Sequence, residues 1–268
     1  MRAVKYHLSL VLIASILVSC DLFFPYTLED APSAQVTQVP EGGFSVSRSR
    51  FVYFSSGNLQ YHGGMDKWRF APNQYDYIGE ANCYIAPDCD YWIDLFGWGT
   101  GDYPTKKSKY ADDYSMFMDW GINQIGNDEE GTWRTLTYKE WEYILEKREN
   151  ASSLQGLAYV ADVNGFILLP DNWKCPSGVT FKPGYSTGFS TNVYSVSKWQ
   201  QMEEAGAVFL PAAGFREGST VYDVQSYGHY WSATKAELLE FSSNKAYMVD
   251  WRYDYLFQGR SVRLVKDL

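Results

Sequence analysis

The sequence predicts an α+β fold built from two short helices, short β-strands and long loops. Hydrophobic residues make up 46% of the 268 residues, which is enough for one large domain or two small ones with a substantial core. Aromatic residues account for 18% and glycine occurs 22 times, a composition typical of β- and loop-rich domains and unlike that of a helical bundle. Two segments, 137–148 and 198–204, have the start signals and apolar spacing of helices.

Residues 1–19 have the features of a secretion signal. Arg2 and Lys5 form a basic start, and the apolar run 8–18 is too short to span a bilayer as a helix. The sequence Leu-Val-Ser-Cys that ends at Cys20 resembles a bacterial lipobox, which implies cleavage before Cys20 and acylation of that residue. An ordinary signal peptide with a chance cysteine is the alternative. We therefore predict a membrane-anchored lipoprotein of the bacterial outer membrane, facing either the periplasm or the cell surface.

The net charge restricts the partners. The formal charge is −9, and removal of Arg2 and Lys5 with the signal leaves 21 basic against 32 acidic residues, a charge of −11. An acidic chain is a poor nucleic-acid binder, because phosphate contacts require basic patches. The same charge disfavours docking onto anionic lipid, so we expect contact with the membrane through the lipid on Cys20.

Three cysteines follow Cys20. Cys83 and Cys89 are close in sequence, and in an oxidising envelope we expect them to form a disulfide bond. Cys175 is expected to be a lone buried thiol. A metal site made of cysteines alone would need more ligands at closer spacing.

The segment 20–43 is rich in proline and glycine and is interpreted as a tether, so a single domain is predicted over 44–268. Alternating or continuous apolar runs predict short strands, and a Gly- and aromatic-rich stretch between them is expected to be irregular and held down by Trp98, Phe117 and Trp120. The predicted strands are 44–47, 51–54, 58–61, 68–70, 165–169, 207–210, 228–234 and 259–267, and the irregular stretch is 94–131.

Both helices have capping signals. Thr137 followed by Glu140 fits a capping box for the first helix, and Ser197 with Gln200 suggests one for the second. Each helix leads towards an apolar strand that a proline closes. The two helix-and-strand segments are weakly similar to each other. They do not form a repeat array, which would need at least three copies at a fixed period.

One short motif has the pattern of a hydrolase. Residues 184–188 match Gly-x-Ser-x-Gly around Ser186, and Asp223 and His229 follow in the order of a catalytic triad. A nucleophile elbow must lie between a strand and a helix, and neither is predicted at its two sides. A Gly-rich surface loop is therefore the favoured interpretation.

Metal ligands are sparse. Asp88, Asp90 and Asp94 cluster near the cysteine pair, and other acidic loops occur at 112–113 and 128–130, but no segment has the residue order of an EF-hand. Solvated acidic loops are favoured over a Ca²⁺ site. The chain after the signal has only two histidines and no His-x-x-x-His pair, so no zinc site and no cofactor are predicted.

Between the last two strands, aromatic and charged residues alternate over 247–257. If this segment is a strand, half of its rings point into the core; if it is a loop, the rings are exposed. Tyrosine and tryptophan provide large contact areas at low entropic cost, and such rings also stack on sugar faces. An exposed binding surface is slightly favoured, because charged residues interrupt the rings.

The segment 133–143, the residues Tyr230-Trp231-Ser232-Ala233-Thr234 and the closing run 259–267 resemble, in this order, motifs of formylglycine-generating-enzyme-like domains. The corresponding family motifs are "RLPTEAEWEYA" for the first and "GFRCVR" for the last. The span from about Phe44 to Leu268 is also similar to lipoproteins of the Fibrobacter succinogenes major paralogous domain type. The resemblance implies a C-type-lectin-like fold of the sulfatase-modifying-factor subtype, with two helices, a small twisted antiparallel sheet and long ordered loops. In related domains the C-terminal segment forms the ligand face.

Two departures from the family limit what the resemblance implies. No cysteine follows Cys175, and Leu264 stands at the position of the cysteine in "GFRCVR", so copper-dependent oxidation has no thiolate ligands. The calcium motifs "EPN" and "WND" of lectins are absent as well, so calcium-dependent sugar binding is not implied.

We therefore predict a non-catalytic binding module that holds an extracellular glycan or protein. A structural or adhesin subunit of a surface assembly and a diverged hydrolase with Ser186 are the alternatives. The predicted ligand-binding residues are Tyr230, Tyr247, Trp251, Arg252, Tyr253, Asp254 and Tyr255.

Overall fold

Residues 39–250 and 255–268 are described by the computed structural model, and they belong to one compact unit. The architecture is α+β, with small sheets and few helices, as predicted. The strands are β1 Phe44–Ser45, β2 Phe51–Phe54, β3 Leu59–His62, β4 Lys67–Phe70, β5 Trp92–Ile93, β6 Arg134–Thr135, β7 Gln155–Val160, β8 Val163–Leu168, β9 Val193–Tyr194, β10 Val208–Pro211, β11 Phe215–Glu217, β12 Thr220–Tyr222, β13 Gly228–Trp231, β14 Glu237–Ser242, β15 Lys245–Asp250 and β16 Leu264–Asp267.

These strands form five small sheets. Their orders are β1-β2-β16-β6, β10-β8-β7-β9, β4-β3-β5, β13-β14-β15 and the hairpin β11-β12. Every pairing is antiparallel except that of β7 with β9. The last strand, β16, pairs with β2, so the two ends of the described domain meet in one sheet.

The first helix begins as the sequence predicts. Helix α1, Tyr138–Glu142, has a complete capping box, in which the Thr137 side chain accepts from the Glu140 backbone and the Glu140 side chain accepts from the Thr137 backbone. The helix continues as a π-helical segment, Tyr143–Lys147. The capping prediction is confirmed because it depends only on residues within one turn.

The second helix, α2, spans Val196–Glu204 and is capped by Ser195, whose hydroxyl accepts from the Lys198 backbone. The predicted capping box of Ser197 and Gln200 is therefore wrong. An N-cap residue has extended backbone angles, and Ser195 has them, with φ −69° and ψ 164°. Ser197 lies inside the first turn of the helix.

Three buried clusters form the core. Trp141, Phe166 and Tyr230 belong to the first, and Trp199 with Phe209 belongs to the third. The second cluster holds Trp98 and Trp120, with Phe117 packed against it at ring distances of 5.0 Å from Trp98 and 5.9 Å from Trp120. These three residues therefore hold the irregular stretch in place, as predicted.

The predicted disulfide bond is not formed. Cys83 and Cys89 are both free thiols, and the buried sulfur of Cys89 points to the carbonyl of Tyr91 at 3.7 Å. Cys175 is exposed and not buried, because it lies just before a surface turn, and its thiol donates to the Val179 carbonyl at 3.2 Å. Cys20 lies outside the described residues. Within residues 39–250 and 255–268, no helix is long and apolar enough to cross a membrane.

Candidate ligand-binding cleft

A cleft of about 390 Å³ opens between the β11–β12 hairpin and the β13–β14–β15 sheet. Aromatic rings of Phe215, Tyr227 and Tyr255 line it together with polar groups. The polar lining residues are Asp223, His229, Glu240, Gln258 and Arg260. Most of these residues belong to the C-terminal third of the chain, in which the sequence predicts a binding surface.

Strand pairing brings the central polar side chains together. His229 on β13 lies opposite Glu240 on β14, and Glu240 lies opposite Tyr247 on β15. Directly paired residues of an antiparallel sheet project from the same face, so the three side chains form one row across the sheet. The Tyr247 hydroxyl donates to Glu240 Oε1 at 2.6 Å, and Glu240 Oε2 lies 3.6 Å from His229 Nδ1.

Arg260 joins this row to the opposite wall. Its Nη1 lies 3.1 Å from His229 Nδ1, and its Nη2 donates to Gln258 Oε1. Gln258 Nε2 in turn donates to Glu217 Oε2 at 2.8 Å. A continuous polar network therefore runs under the cleft from the β11–β12 hairpin to β15. Such networks hold their members in a single arrangement when each is hydrogen-bonded.

Burial determines the charge states in this network. Arg260 is 2% exposed, and burial lowers its pKa to about 9, while Glu240 acts in the opposite direction. Burial and the nearby Arg260 guanidinium hold the pKa of His229 well below its ordinary value of 6.5. We therefore assign a neutral imidazole whose Nδ1 accepts from Arg260.

In this tautomer the His229 proton is on Nε2. That atom is buried and has no hydrogen-bond partner among the described residues. A buried donor without a partner costs about 1–3 kcal/mol. His229 can donate a hydrogen bond at neutral pH but is poorly suited to carry a proton in acid–base chemistry.

Exposed tyrosines surround the cleft. Tyr222, Tyr227 and Tyr255 have 45%, 36% and 41% of their surface exposed. The ring of Tyr227 stacks on that of His229 at 5.8 Å with planes 8° apart, and Tyr222 stacks on Phe215 at 5.3 Å. These stacks fix the ring planes, so the exposed aromatic faces are prepared for contact without further ordering.

The predicted ligand-binding residues fall into three groups. Tyr255 lines the cleft, and Tyr247 lies beside it through its bond to Glu240. Trp251, Arg252, Tyr253 and Asp254 lie outside the described residues. Tyr230 lies in the core and does not line the cleft.

Tyr230 is fully buried and not part of an exposed surface. It follows His229 on β13 and therefore points to the opposite face of the sheet, into the first core cluster. Its hydroxyl donates to the Pro211 carbonyl at 3.0 Å and accepts from the Asn58 amide at 3.1 Å. Both hydrogen bonds lie inside the core, so the Tyr230 hydroxyl is not available to a ligand.

Sequence reasoning missed most of the cleft. Phe215, Tyr227 and Glu240 carry no motif, and they come together only because the β11–β12 hairpin packs beside the β13–β14–β15 sheet. Arg260 offered one signal, since it lies in the closing run among apolar residues. A charged residue in such a run is either exposed or buried with partners, and only the fold distinguishes these cases.

The Gly-x-Ser-x-Gly motif lacks the context of a nucleophile elbow. Gly184 forms a β-bridge with Gly156, and only a four-residue 3₁₀ helix, Gly188–Thr191, follows the exposed Ser186. The nitrogen Nδ1 of His229 is engaged by Arg260. The motif is therefore part of a surface loop in the described structure.

The acidic loops do not converge. Across residues 39–250 and 255–268, no group of three or more His, Cys, Asp or Glu side chains could hold a metal ion. Asp94 is buried and accepts from the Asn82 amide at 2.8 Å and from the Ile78 backbone at 2.9 Å, whereas Asp90 is exposed. Burial raises the pKa of Asp94 to about 6.

Comparison of the chain with protein-family models, with curated proteins and with solved structures found no match.

Proposed function

We propose that this chain is a non-catalytic glycan-binding module and that the tyrosine-lined cleft is its binding site. The observation that supports this best is the combination of exposed tyrosine rings, one of them stacked on His229, with a buried polar floor. Sugars present apolar ring faces and equatorial hydroxyls together, and they need aromatic planes and fixed hydrogen-bond partners at the same site. Tyr227 and Tyr255 supply the planes, and the exposed Asp223 supplies a hydrogen-bond acceptor.

The size of the cleft favours a glycan over a protein ligand. A volume of about 390 Å³ fits one or two sugar rings and lies within the ordinary range for small-molecule sites. Stable protein interfaces cover about 800 Å² on each partner and usually contain an apolar centre. Here the centre holds His229, Glu240 and Arg260, so polar recognition is the better fit.

We also propose that the domain has a C-type-lectin-like fold of the sulfatase-modifying-factor subtype. The two helices, the small antiparallel sheets and the long ordered loop after β5 are consistent with the sequence resemblance, and the C-terminal segment contributes to the cleft. An experimental structure of the domain superposed on a formylglycine-generating-enzyme-like domain would test this. Equivalent order and direction of the paired strands is the expected result.

The lipobox supports the further proposal that the protein is anchored in the bacterial envelope through Cys20, as an outer-membrane lipoprotein. Metabolic labelling with an alkyne palmitate analogue is expected to label the wild-type chain and not Cys20→Ser. Labelling of both chains would remove this assignment.

The binding proposal is tested with the full-length protein in detergent micelles on a glycan array, followed by titration of the best ligand. Tyr227→Ala and Tyr255→Ala are each expected to weaken binding about 10-fold, with little change in the melting temperature, because both rings are partly exposed. Tyr159→Ala is the matched control, since Tyr159 lies on β7, away from the cleft. Unchanged affinity in both cleft variants, or an equal loss of affinity in Tyr159→Ala, would show that the cleft is not the binding site.

A further inference from the structure

A second cleft of about 500 Å³ lies beside the tyrosine-lined cleft. Lys107 and Lys109 line it on one side, and Glu217, Tyr222 and Phe257 belong to the other lining residues. We call it the lysine cleft.

Three contacts join the two clefts. Phe215 of the first stacks on Tyr222 of the second, and Gln258 of the first is hydrogen-bonded to Glu217 of the second. The rings of Tyr255 and Phe257, one from each cleft, lie 6.5 Å apart. A ligand of a few sugar units could therefore occupy both clefts at once.

The lysine cleft is positively charged although the chain as a whole is acidic. Lys107 and Lys109 are exposed, and neither forms a salt bridge with any residue in 39–250 or 255–268. Glu217 is the only carboxylate among the lining residues of this cleft, and it already accepts from Gln258. Two ammonium groups therefore face one carboxylate that is already hydrogen-bonded.

A buried guanidinium adds to this charge. Arg216 on β11 is 1% exposed, and its Nη1 donates at 2.9 Å to the carbonyl of Gly218, which lines the lysine cleft. Its Nε and Nη2 have no hydrogen-bond partner within the described part of the chain, and no carboxylate there forms a salt bridge with it. A buried cation without a counter-charge is costly, and an anion bound nearby would reduce that cost.

We infer that the lysine cleft binds the anionic group of an acidic oligosaccharide whose neighbouring sugar stacks in the tyrosine-lined cleft. This inference rests on the proposed glycan-binding function and narrows its ligand to uronate or sulfated sugars. Lys107 and Lys109 contact the carboxylate or sulfate, and Arg216 contributes a positive field from beneath the hairpin.

The overall charge of −9 does not oppose this assignment at physiological salt. The Debye length is about 8 Å at 0.15 M ionic strength, so charges within the cleft dominate the local potential. Distant acidic loops act mainly on the rate of encounter at low salt.

The test uses the full-length protein in detergent micelles with three probes, measured by calorimetric titration. The probes are an oligogalacturonate hexamer, the same hexamer fully methyl-esterified, and a sulfated heparin hexasaccharide. Methyl esterification removes the charge and keeps the sugar backbone, and the heparin probe distinguishes sulfate from carboxylate as the recognised group.

At least one anionic probe is expected to bind about 10-fold more tightly than the ester, and Lys107→Ala with Lys109→Ala should abolish this difference. The matched control is Lys174→Ala with Lys182→Ala, which removes the same charge at exposed positions outside the cleft. The advantage of the anionic probe should also fall between 0.05 and 0.5 M salt.

Two results overturn the inference. One is equal affinity for the acid and its ester, with no change in affinity when Lys107 and Lys109 are replaced. If Tyr227→Ala and Tyr255→Ala still weaken binding in that case, the glycan-binding function stands and only the anionic specificity fails. The other is absence of binding by both anionic probes at millimolar concentration. If Tyr227→Ala and Tyr255→Ala have no effect on any bound probe, the proposed function itself fails.

Discussion

His229 and Arg260 lie 3.1 Å apart, Nδ1 to Nη1, at the floor of the cleft, and both are more than nine-tenths buried. Burial, together with a guanidinium so close to the imidazole, lowers the pKa of His229 and keeps the ring neutral, and the guanidinium directs the remaining proton to Nε2. The pair therefore fixes the protonation state of His229 at the floor of the cleft. It also makes the charge state of His229 depend on Arg260, and this dependence can be measured.

Arg260→Met is expected to raise the pKa of His229 towards its ordinary range, because the variant removes a nearby positive charge. Nitrogen-detected NMR of the imidazole during a pH titration measures this directly. Breaking a buried polar network of this kind costs about 3–5 kcal/mol of unfolding free energy, so the titration is run at low temperature. Arg263→Met, which removes another buried guanidinium, is the control and should leave the pKa of His229 where it is. An unchanged titration in Arg260→Met would contradict the assignment.

The same depressed pKa has a consequence for stability. The folded His229 binds a proton less readily than the unfolded residue, whose pKa is 6.5. The contribution of the neutral ring to the unfolding free energy is therefore present above pH 6.5 and is lost as the pH falls below it. His229→Gln should therefore lose less unfolding free energy than wild type between pH 7 and pH 5. Parallel denaturant titrations at four pH values measure the difference, and identical slopes in the two proteins would exclude the effect.

Asp94 is expected to change the pH dependence of stability in the direction opposite to His229. Burial raises its pKa from 3.8 to about 6, so the folded state binds a proton more readily than the unfolded state, and stability falls as the pH rises through 4 to 6. The shift corresponds to about 3 kcal/mol at neutral pH. Relative to Asp94→Asn, the wild-type protein should therefore gain unfolding free energy on acidification from pH 7 to pH 4. A constant difference across this range would show that Asp94 titrates normally.

Helix α2 allows a sharp test of capping. Ser195→Ala should lower the unfolding free energy by about 1 kcal/mol, because the hydroxyl that accepts from the Lys198 backbone is lost. Ser197→Ala is the matched control two residues away, and it should have little effect, since its hydroxyl caps no backbone group. Urea unfolding of both variants makes the comparison. A larger effect at Ser197 would restore the capping box that the sequence suggests.

The state of the thiols is open to direct measurement. Under native conditions iodoacetamide should modify the exposed Cys175 first and the buried Cys89 last. After denaturation without reductant, intact mass should show all three cysteines beyond Cys20 alkylated. Modification of Cys175 alone would mean that Cys83 and Cys89 are joined by the disulfide bond that their spacing suggests.

The sequence alone determined features that depend on neighbouring residues. The α+β class, the capping box of Thr137 and Glu140, and the tryptophans that hold the irregular stretch are all set by local chemistry or by the cost of exposing large apolar side chains. The start of α2 shows the limit of such reasoning, because Ser195 and Ser197 offer the same hydroxyl. Backbone angles distinguish them, and the sequence does not state those angles.

Only the tertiary structure decided which aromatic residues face a ligand. Tyr230 and Tyr255 look equivalent in a ring-rich sequence, yet Tyr230 points into the core and Tyr255 lines the cleft. Tyr230 lies on β13, where a shift of one residue would reverse the direction of its side chain, whereas Tyr255 lies outside the strands. The cleft also needs the β11–β12 hairpin beside β13 and Arg260 beneath both. His229 and Arg260 are 31 residues apart in sequence, so their contact results from packing of the folded chain, and no local pattern encodes it.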